Sequence, residues 1–495
     1  MNAFFTPQDQ FVLMPALLLT IFGCAVLLFE FLLPKGAAAR NWVLAVTLIG
    51  LSFTGRALWL QQAAIVDAPG GRITGFSGAV TIDGFALFFN WIFLATAAIV
   101  VLISYRYLEI ENEHRAEYYG LILLAQCGMF FLATGTDLVT IFVALELMAL
   151  SFYVMVGFLR DQPRANEAAM KYFLLGGFSS GFLAYGFSLL YGLSGSTNLN
   201  TIAEMLSRRD ASDPLLLLAL ATTSVGLLFK ISAAPFHMWA PDAYEGAPTS
   251  VTAYLSVGSK AASFALLVRV FLETLPASRE SWEPMLAGAA VLSMTVGNLA
   301  AISQTNLKRL LAYSSISHAG YILLGLIAGN DTGLKGIAIY ILTYAFTNLG
   351  ALLVVLALRR RDPQLAAADY EEDMSDIAGL ARRNPTYALF MLVFLLSLAG
   401  IPPTAGFIGK YFVLLSLVET GHYALAIIAA VYVAVAVYYY FRIVRSMYLD
   451  QPERKGGLAS SAGVKVALAI TGALTIGIGL FPEPFLRLAG WSVLR

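Results

Sequence analysis

The chain has 495 residues, 59% of them hydrophobic and only 13% charged, against about 25% charged in a soluble domain. Lys plus Arg equals Asp plus Glu at 31 each, so the charge balance gives no support to a nucleic-acid partner. Apolar runs of about 20 residues recur from end to end without period-two alternation, which predicts an all-α polytopic membrane protein and excludes a transmembrane barrel.

In chain order, fourteen spans are expected near 11–33, 41–60, 83–104, 119–135, 138–159, 170–193, 214–246 (broken), 250–273, 284–304, 309–328, 335–358, 385–419 (broken), 422–446 and 463–483. They are called spans 1 to 14 below. Most connections are short, so consecutive helices should pack antiparallel in one bundle. The N-terminal MNAFFTPQDQ has no Lys or Arg and lacks the basic start of a cleaved signal, so span 1 should remain as a helix. Cys24 and Cys127 stand singly in different runs, too few for an iron–sulfur cluster, and read as packing residues.

Nineteen Lys and Arg residues, Lys308, Arg309 and Arg359 to Arg361 among them, follow odd-numbered spans, against seven on the other side and at the C-terminus. The bias places the odd loops in the cytoplasm and both termini outside.

Two spans are interrupted alike. Span 7 breaks at Ile231–Pro235 and span 12 at Gly400–Ala405, within LAGIPPTAGFIGK. Proline removes a backbone donor and leaves carbonyls free, which is tolerated at membrane depth only inside protein or beside a water-filled cavity. The breaks lie five spans apart, so the two units run in opposite directions, the pattern of an inverted repeat with a polar site near the midplane. The expected division is N-terminal helices 1–118, a first five-helix repeat 119–273 (spans 4–8), a second 284–446 (spans 9–13) and a C-terminal helix 463–495.

Each break adjoins an intramembrane lysine, Lys230 and Lys410, and Lys260 lies ten residues into span 8. A cation there costs roughly 2.5–3.5 kcal/mol on insertion scales. Glu146 is the one acid deep in span 5, and Lys230 is its expected partner; a protonated structural carboxyl is the competing reading. Lys171 and Lys465, near span ends, are expected to snorkel. His237, in the first break, and His318, in span 10, are either relays or hydrogen-bonded structural groups. His114 and His422 sit at span edges and read as solvated. The spacing of the histidines gives no metal site. GGFSSG, Gly176 to Gly181, lies inside span 6 and reads as helix packing through Gly177 and Gly181. There is no Walker-type loop. The loop Arg359–Asn384 reads as a solvated segment.

KISAAPFHMWAPDAYEGAPTSVTAYLSVGSKAASFA, QTNLKRLLAYSSISHAGY and LAGIPPTAGFIGKYFVL closely resemble the antiporter-like membrane subunits of the proton-pumping NADH:quinone oxidoreductase, respiratory complex I, over roughly spans 4 to 13. AYEGAPT and Lys410 look like the N-type branch; the M-type has a glutamate at the site matching Lys410, and the L-type extends into a lateral helix for which this chain has no length. The resemblance implies a bacterial inner-membrane subunit without a redox cofactor, with NADH, FMN, iron–sulfur clusters and quinone in partner subunits and other antiporter-like subunits as neighbours. It assigns Glu146 and Lys230 as a modulating pair, Lys260 as the central relay and Lys410 as the link to the outer side. A subunit of a cation/proton antiporter or of a membrane-bound hydrogenase shares these features. A purely structural scaffold is disfavoured by the cost of four intramembrane ionisable groups.

Overall fold

The computed structural model describes residues 5–32, 37–111, 113, 115–358, 372–452, 458 and 461–493. Lys35, His114, Arg359, Arg360, Arg361, Arg454, Lys455 and Arg495 lie outside the described residues, as does the 359–371 part of the loop read above as solvated.

Among the described residues, twelve helices are long and apolar enough to cross a membrane: Pro7–Glu30, Arg40–Asp67, Gly84–Glu111, Ala116–Thr134, Leu138–Val156, Pro163–Ser194, Thr249–Thr274, Pro276–Ser303, Leu307–Ala328, Asp331–Leu358, Tyr423–Tyr448 and Ala462–Leu480. The two interrupted spans complete the expected set: Pro214–Lys230 followed by Trp239–Gly246, and Pro385–Ala399 followed by Ala405–Glu419. Local chemistry sets many ends. Proline opens spans 6, 7 and 12 at a position where its missing N–H has no intrahelical partner. The Asp137 carboxylate caps Val139 and Thr140, and the Asn306 side chain caps Arg309.

Loop contacts sort onto two faces. On one, Asp9 accepts from the Phe76 N–H at 2.5 Å, Val80 pairs with Gly135 and Asp137 with Asn198, and Gly84 abuts Trp491. On the other, Gln162 meets Glu111 at 3.2 Å, Asn306 pairs with Asp373, and Gly379 N–H donates to Ser446 at 2.9 Å. The first set joins the N-terminal segment, even-numbered loops and the C-terminal segment; the second joins odd-numbered loops only. An even number of crossings follows.

Spans 8, 10 and 11 form the centre, each 94% buried, whereas spans 1 and 2 are 33% and 39% buried and present leucine, phenylalanine and tryptophan outward. Small elements that escaped the apolar pattern include an antiparallel hairpin, Ile73–Gly75 with Val80–Ile82, and the amphipathic helices Leu199–Leu206 and Glu483–Gly490.

Several residues sit differently from what their sequence context suggests. A Cβ on Gly177 or Gly181 would meet nothing; the close approaches in span 6 are Gly176 against Tyr153 and Gly186 against Thr223. Cys24 is exposed on the apolar surface, while Cys127 is buried. His422 is not simply solvated, since its Nε2 meets Glu283 at 3.0 Å. Residues 372–380 fold inward, with Glu372, Asp376, Ile377 and Leu380 buried. Lys308, counted with the loop cations, is 1% exposed because Glu372 reaches in to pair with it. Lys171 behaves as expected, exposed and paired with Glu167 and Asp242.

Candidate functional site

Lys260 stands just past a π-helical turn, Leu255–Ser259, in the centre of the bundle and is 3% exposed. Such turns widen a helix by one residue and are frequent at functional sites. Its Nζ donates to the Ser315 carbonyl at 2.8 Å and also to the Ser315 hydroxyl. The same hydroxyl accepts from Tyr344 at 2.8 Å. An ammonium has three N–H donors, so two are anchored on span 10 and one is left to exchange.

Lys410 repeats this arrangement at the second break. Its Nζ donates to the carbonyls of Leu398 and Ala399 at 2.9 and 3.0 Å, at the last turn of Pro385–Ala399, where continued helix would have supplied N–H partners. The ammonium also lies 5.0 Å from the centre of the Tyr321 ring. Gly400, at φ +84°, makes the turn that brings the chain back under Lys410.

His318 belongs with both lysines. Its Nδ1 meets the Tyr340 hydroxyl at 2.7 Å and its Nε2 the Tyr440 hydroxyl at 3.1 Å. A cavity of about 10 Å³ is lined by His318, Tyr340, Tyr344 and Lys410, the scale that one water requires. Tyr344 thus borders both the cavity and Ser315. The sequence AYSSISHAGY places Ser314, His318 and Tyr321 on one helical face at i, i+4 and i+7, a signal that identifies this polar seam. The facing tyrosines of spans 11 and 13 carry no such mark.

Glu146, Lys230 and His237 form a looser group at the first break. Lys230 ends Pro214–Lys230, is 5% exposed, and its Nζ has no hydrogen-bond partner among the described residues. Glu146 is its acidic neighbour, yet among the described residues the two make no ion pair; the Ser180 hydroxyl donates to Glu146 at 2.5 Å instead. The expected direct pair is therefore a through-space one, because span 6 supplies a nearer donor. His237 is half-buried between exposed Pro235 and Met238, its Nδ1 unpartnered among the described residues, and it does not join the His318 seam.

Among the described residues, two buried ion clusters were not anticipated. Arg269, 1% exposed, donates to Asp83 at 2.9 and 3.0 Å, to Glu273 at 2.9 Å and to the Ala133 carbonyl at 2.7 Å. The other is Lys308 with Glu372, at 2.9 Å. Both cations lie near span ends, where a sequence gives no hint that the partner acid comes from a distant connection. AYEGAPT acquires a structural meaning too: its Glu245, with Asp242 just before the segment, clamps Arg309 at 2.9 and 2.6 Å, and Glu245 also meets Arg164. Among the described residues no cluster of His, Cys, Asp and Glu could hold a metal ion.

The family model for the NADH:quinone oxidoreductase/Mrp antiporter transmembrane region matches residues 135–436. The chain belongs to this family. Within the NADH:quinone oxidoreductase/Mrp antiporter family it is 60% identical over 495 residues to NADH-quinone oxidoreductase subunit N 2 of Solibacter usitatus, covering 100% of this chain and 99% of that one. Among solved structures, a chain of respiratory complex I from Thermus thermophilus with bound aureothin is 34% identical, with a TM-score of 0.81, covering 96% of this chain and 99% of that one. A chain of the archaeal membrane-bound sulfane sulfur reductase shares the fold at 22% identity, with a TM-score of 0.85, covering 98% and 97%.

Proposed function

We propose that this chain is a proton-translocating membrane subunit of an NADH:quinone oxidoreductase, moving protons through a Glu/Lys relay while electron transfer proceeds in other subunits. One observation carries the reading: buried Lys410 lines a water-sized cavity with His318, buried Lys260 is held at Ser315 three residues before His318 on the same helix, and each lysine is anchored by carbonyl oxygens. A structural cation would be matched by a buried acid, as Arg269 is. These two are matched by neutral groups, which lets the charge come and go.

In this account a proton on Lys260 leaves through the N–H that Ser315 does not hold. Tyr344 and the cavity carry it to His318, and from there it reaches neutral Lys410. Imidazole suits the middle step, accepting at one nitrogen and donating at the other. Glu146 acts earlier: its charge, near but not on Lys230, sets whether Lys230 holds a proton, and that charge acts in turn on Lys260. His237 lies near this entry group and is a further relay candidate.

Two repeats, 119–273 and 284–446, carry the relay, with the lysines of one handing over to those of the other. The chain lies in a bacterial inner membrane with odd loops cytoplasmic and both termini outside. NADH, FMN, iron–sulfur clusters and quinone belong to partner subunits, and antiporter-like subunits are its membrane neighbours. The 60% identity to an oxidoreductase subunit over the whole chain favours this reading over a cation/proton antiporter. Purification of the tagged chain from native membranes tests it. NADH:quinone reductase activity should co-purify, and a complex that lacks it sinks the reading.

A further inference from the structure

The segment that follows residue 371 is threaded into the membrane domain. Main-chain hydrogen bonds from Leu307 N–H to the Glu372 carbonyl, 2.7 Å, and from Met374 N–H to the Thr305 carbonyl, 2.9 Å, lock it against the start of span 10. Glu372 is thereby inserted where three helix ends converge. Its Oε1 accepts from Lys308 Nζ at 2.9 Å and from the Thr249 hydroxyl at 3.2 Å, and Lys308 also donates to the Ala247 carbonyl at 2.7 Å. Ala247 closes the second half of span 7, Thr249 opens the helix that carries Lys260, and Lys308 is in the first turn of the His318 helix. The Lys308 and Glu372 side chains are each 2% exposed.

The pairing is incomplete. Glu372 Oε2 is buried and has no hydrogen-bond partner among the described residues. A structural carboxylate is held at both oxygens, because an unsatisfied buried acceptor costs free energy. An oxygen left open at depth is a place where a proton can bind. Beneath it, Lys308 and Ser315 lie seven residues apart on one face of the same helix, about 10 Å along its axis. Ser315 is the residue that anchors Lys260. Beside it is the buried Tyr244 hydroxyl, which interacts with the Ser315 side chain.

We propose that Glu372 is the proton-uptake carboxylate that feeds Lys260, with Lys308 as the positioning residue that holds it. The inference rests on the relay above. Hydronium on the odd-loop side gives up its proton and leaves water, and intervening water carries the proton inward to the buried Glu372 Oε2, where an O–H bond forms. That O–H bond breaks as the proton passes by way of the Tyr244 and Ser315 hydroxyls and intervening water to neutral Lys260, where an N–H bond forms. Glu372 returns to carboxylate and Lys260 becomes cationic, so charge and atoms balance without any redox partner. While Glu372 is neutral it loses its attraction for Lys308, which loosens the latch over the helix ends for the duration of uptake.

The test uses the assembled complex in proteoliposomes, with NADH and a soluble quinone, reading acidification of the lumen alongside NADH oxidation. Glu372→Ala should lower the protons moved per NADH, and formate, a small proton carrier that fits the space of the deleted carboxyl, should restore them. Glu372→Asp should retain part of the function, and Glu372→Gln, which keeps an acceptor for Lys308, should assemble yet pump as poorly as the Ala variant. Lys260→Met should pump poorly with or without formate. Wild-type stoichiometry in Glu372→Gln beside a defective Lys260→Met would overturn the uptake role and leave the relay standing. A defect in Glu372→Ala that neither formate nor Asp relieves would show a structural role and overturn it too. Normal pumping in Lys260→Met would remove the relay itself, and the uptake role with it.

Discussion

Lys410 caps the helix end at Ala399: its ammonium, eleven residues further along the chain, donates to the Ala399 carbonyl at 3.0 Å across the second break. The break and the charge therefore depend on each other. The carbonyls freed at the end of Pro385–Ala399 hold an ammonium at depth, and the ammonium replaces the N–H groups that the break removed.

Lys410→Arg should keep this cap, because guanidinium also donates to carbonyls, but should not pass a proton onward. The complex should assemble and oxidise NADH with the protons moved per NADH reduced. Lys410→Met removes the cap as well, leaving two buried carbonyls unpaired at about 1–3 kcal/mol each, so assembly on native gels should fall. Equal assembly of both variants would deny the capping role.

Glu146→Ala should sharply reduce pumping while leaving assembly intact, since among the described residues the carboxylate is held only by Ser180 and its charge acts on Lys230 through space. Glu146→Asp should retain part of the activity. Wild-type proton stoichiometry in assembled Glu146→Ala would take Glu146 out of the mechanism.

Arg269 should behave in the opposite way. It is fixed by Asp83, Glu273 and Ala133, and breaking such a buried pair costs roughly 3–5 kcal/mol. Arg269→Met should lower the thermal stability of the complex, and Arg269→Met combined with Asp83→Asn should cost less than the sum of the two. Strict additivity would contradict a shared network.

The contrast between Lys260 and Arg269 explains what the sequence could and could not convey. A lysine ten residues into an apolar run cannot reach water, so Lys260 declares itself, and so do the proline breaks beside Lys230 and Lys410. Arg269 and Lys308 lie near span ends, where snorkelling is the default for a cation. Their burial depends on Asp83 and Glu372, acids 186 and 64 residues away in the chain. The histidine seam was half legible. One helical face carries Ser314, His318 and Tyr321, but the closing hydroxyls of Tyr340, Tyr344 and Tyr440 come from helices whose pattern is simply apolar. Gly177 and Gly181 misled because a glycine shows that a close approach is allowed, not that a neighbour makes one.

Topology gives a further check. The N-terminal segment meets the hairpin and Gly84 meets Trp491 on one face, and the basic loops lie on the other. A reporter inserted in the 359–371 stretch should read cytoplasmic and one fused after Arg495 external. Cytoplasmic signal from both would contradict an even number of spans.

Proton transfer through this chain turns on Lys260. Moving a charge across the membrane potential costs about 2.3 kcal/mol per 100 mV, and about 1.4 kcal/mol corresponds to one pKa unit, so a relay site must be tunable by that much. A lysine held by neutral Ser315 can be tuned in this way, whereas a guanidinium stays charged. The decisive measurement is proton uptake by vesicles alongside NADH oxidation in the assembled complex carrying Lys260→Arg, with Lys260→Met as reference. Proton transfer through this chain should be lost in both while assembly persists. Full pumping in Lys260→Arg would show that the site supplies only positive charge, and the relay would be wrong.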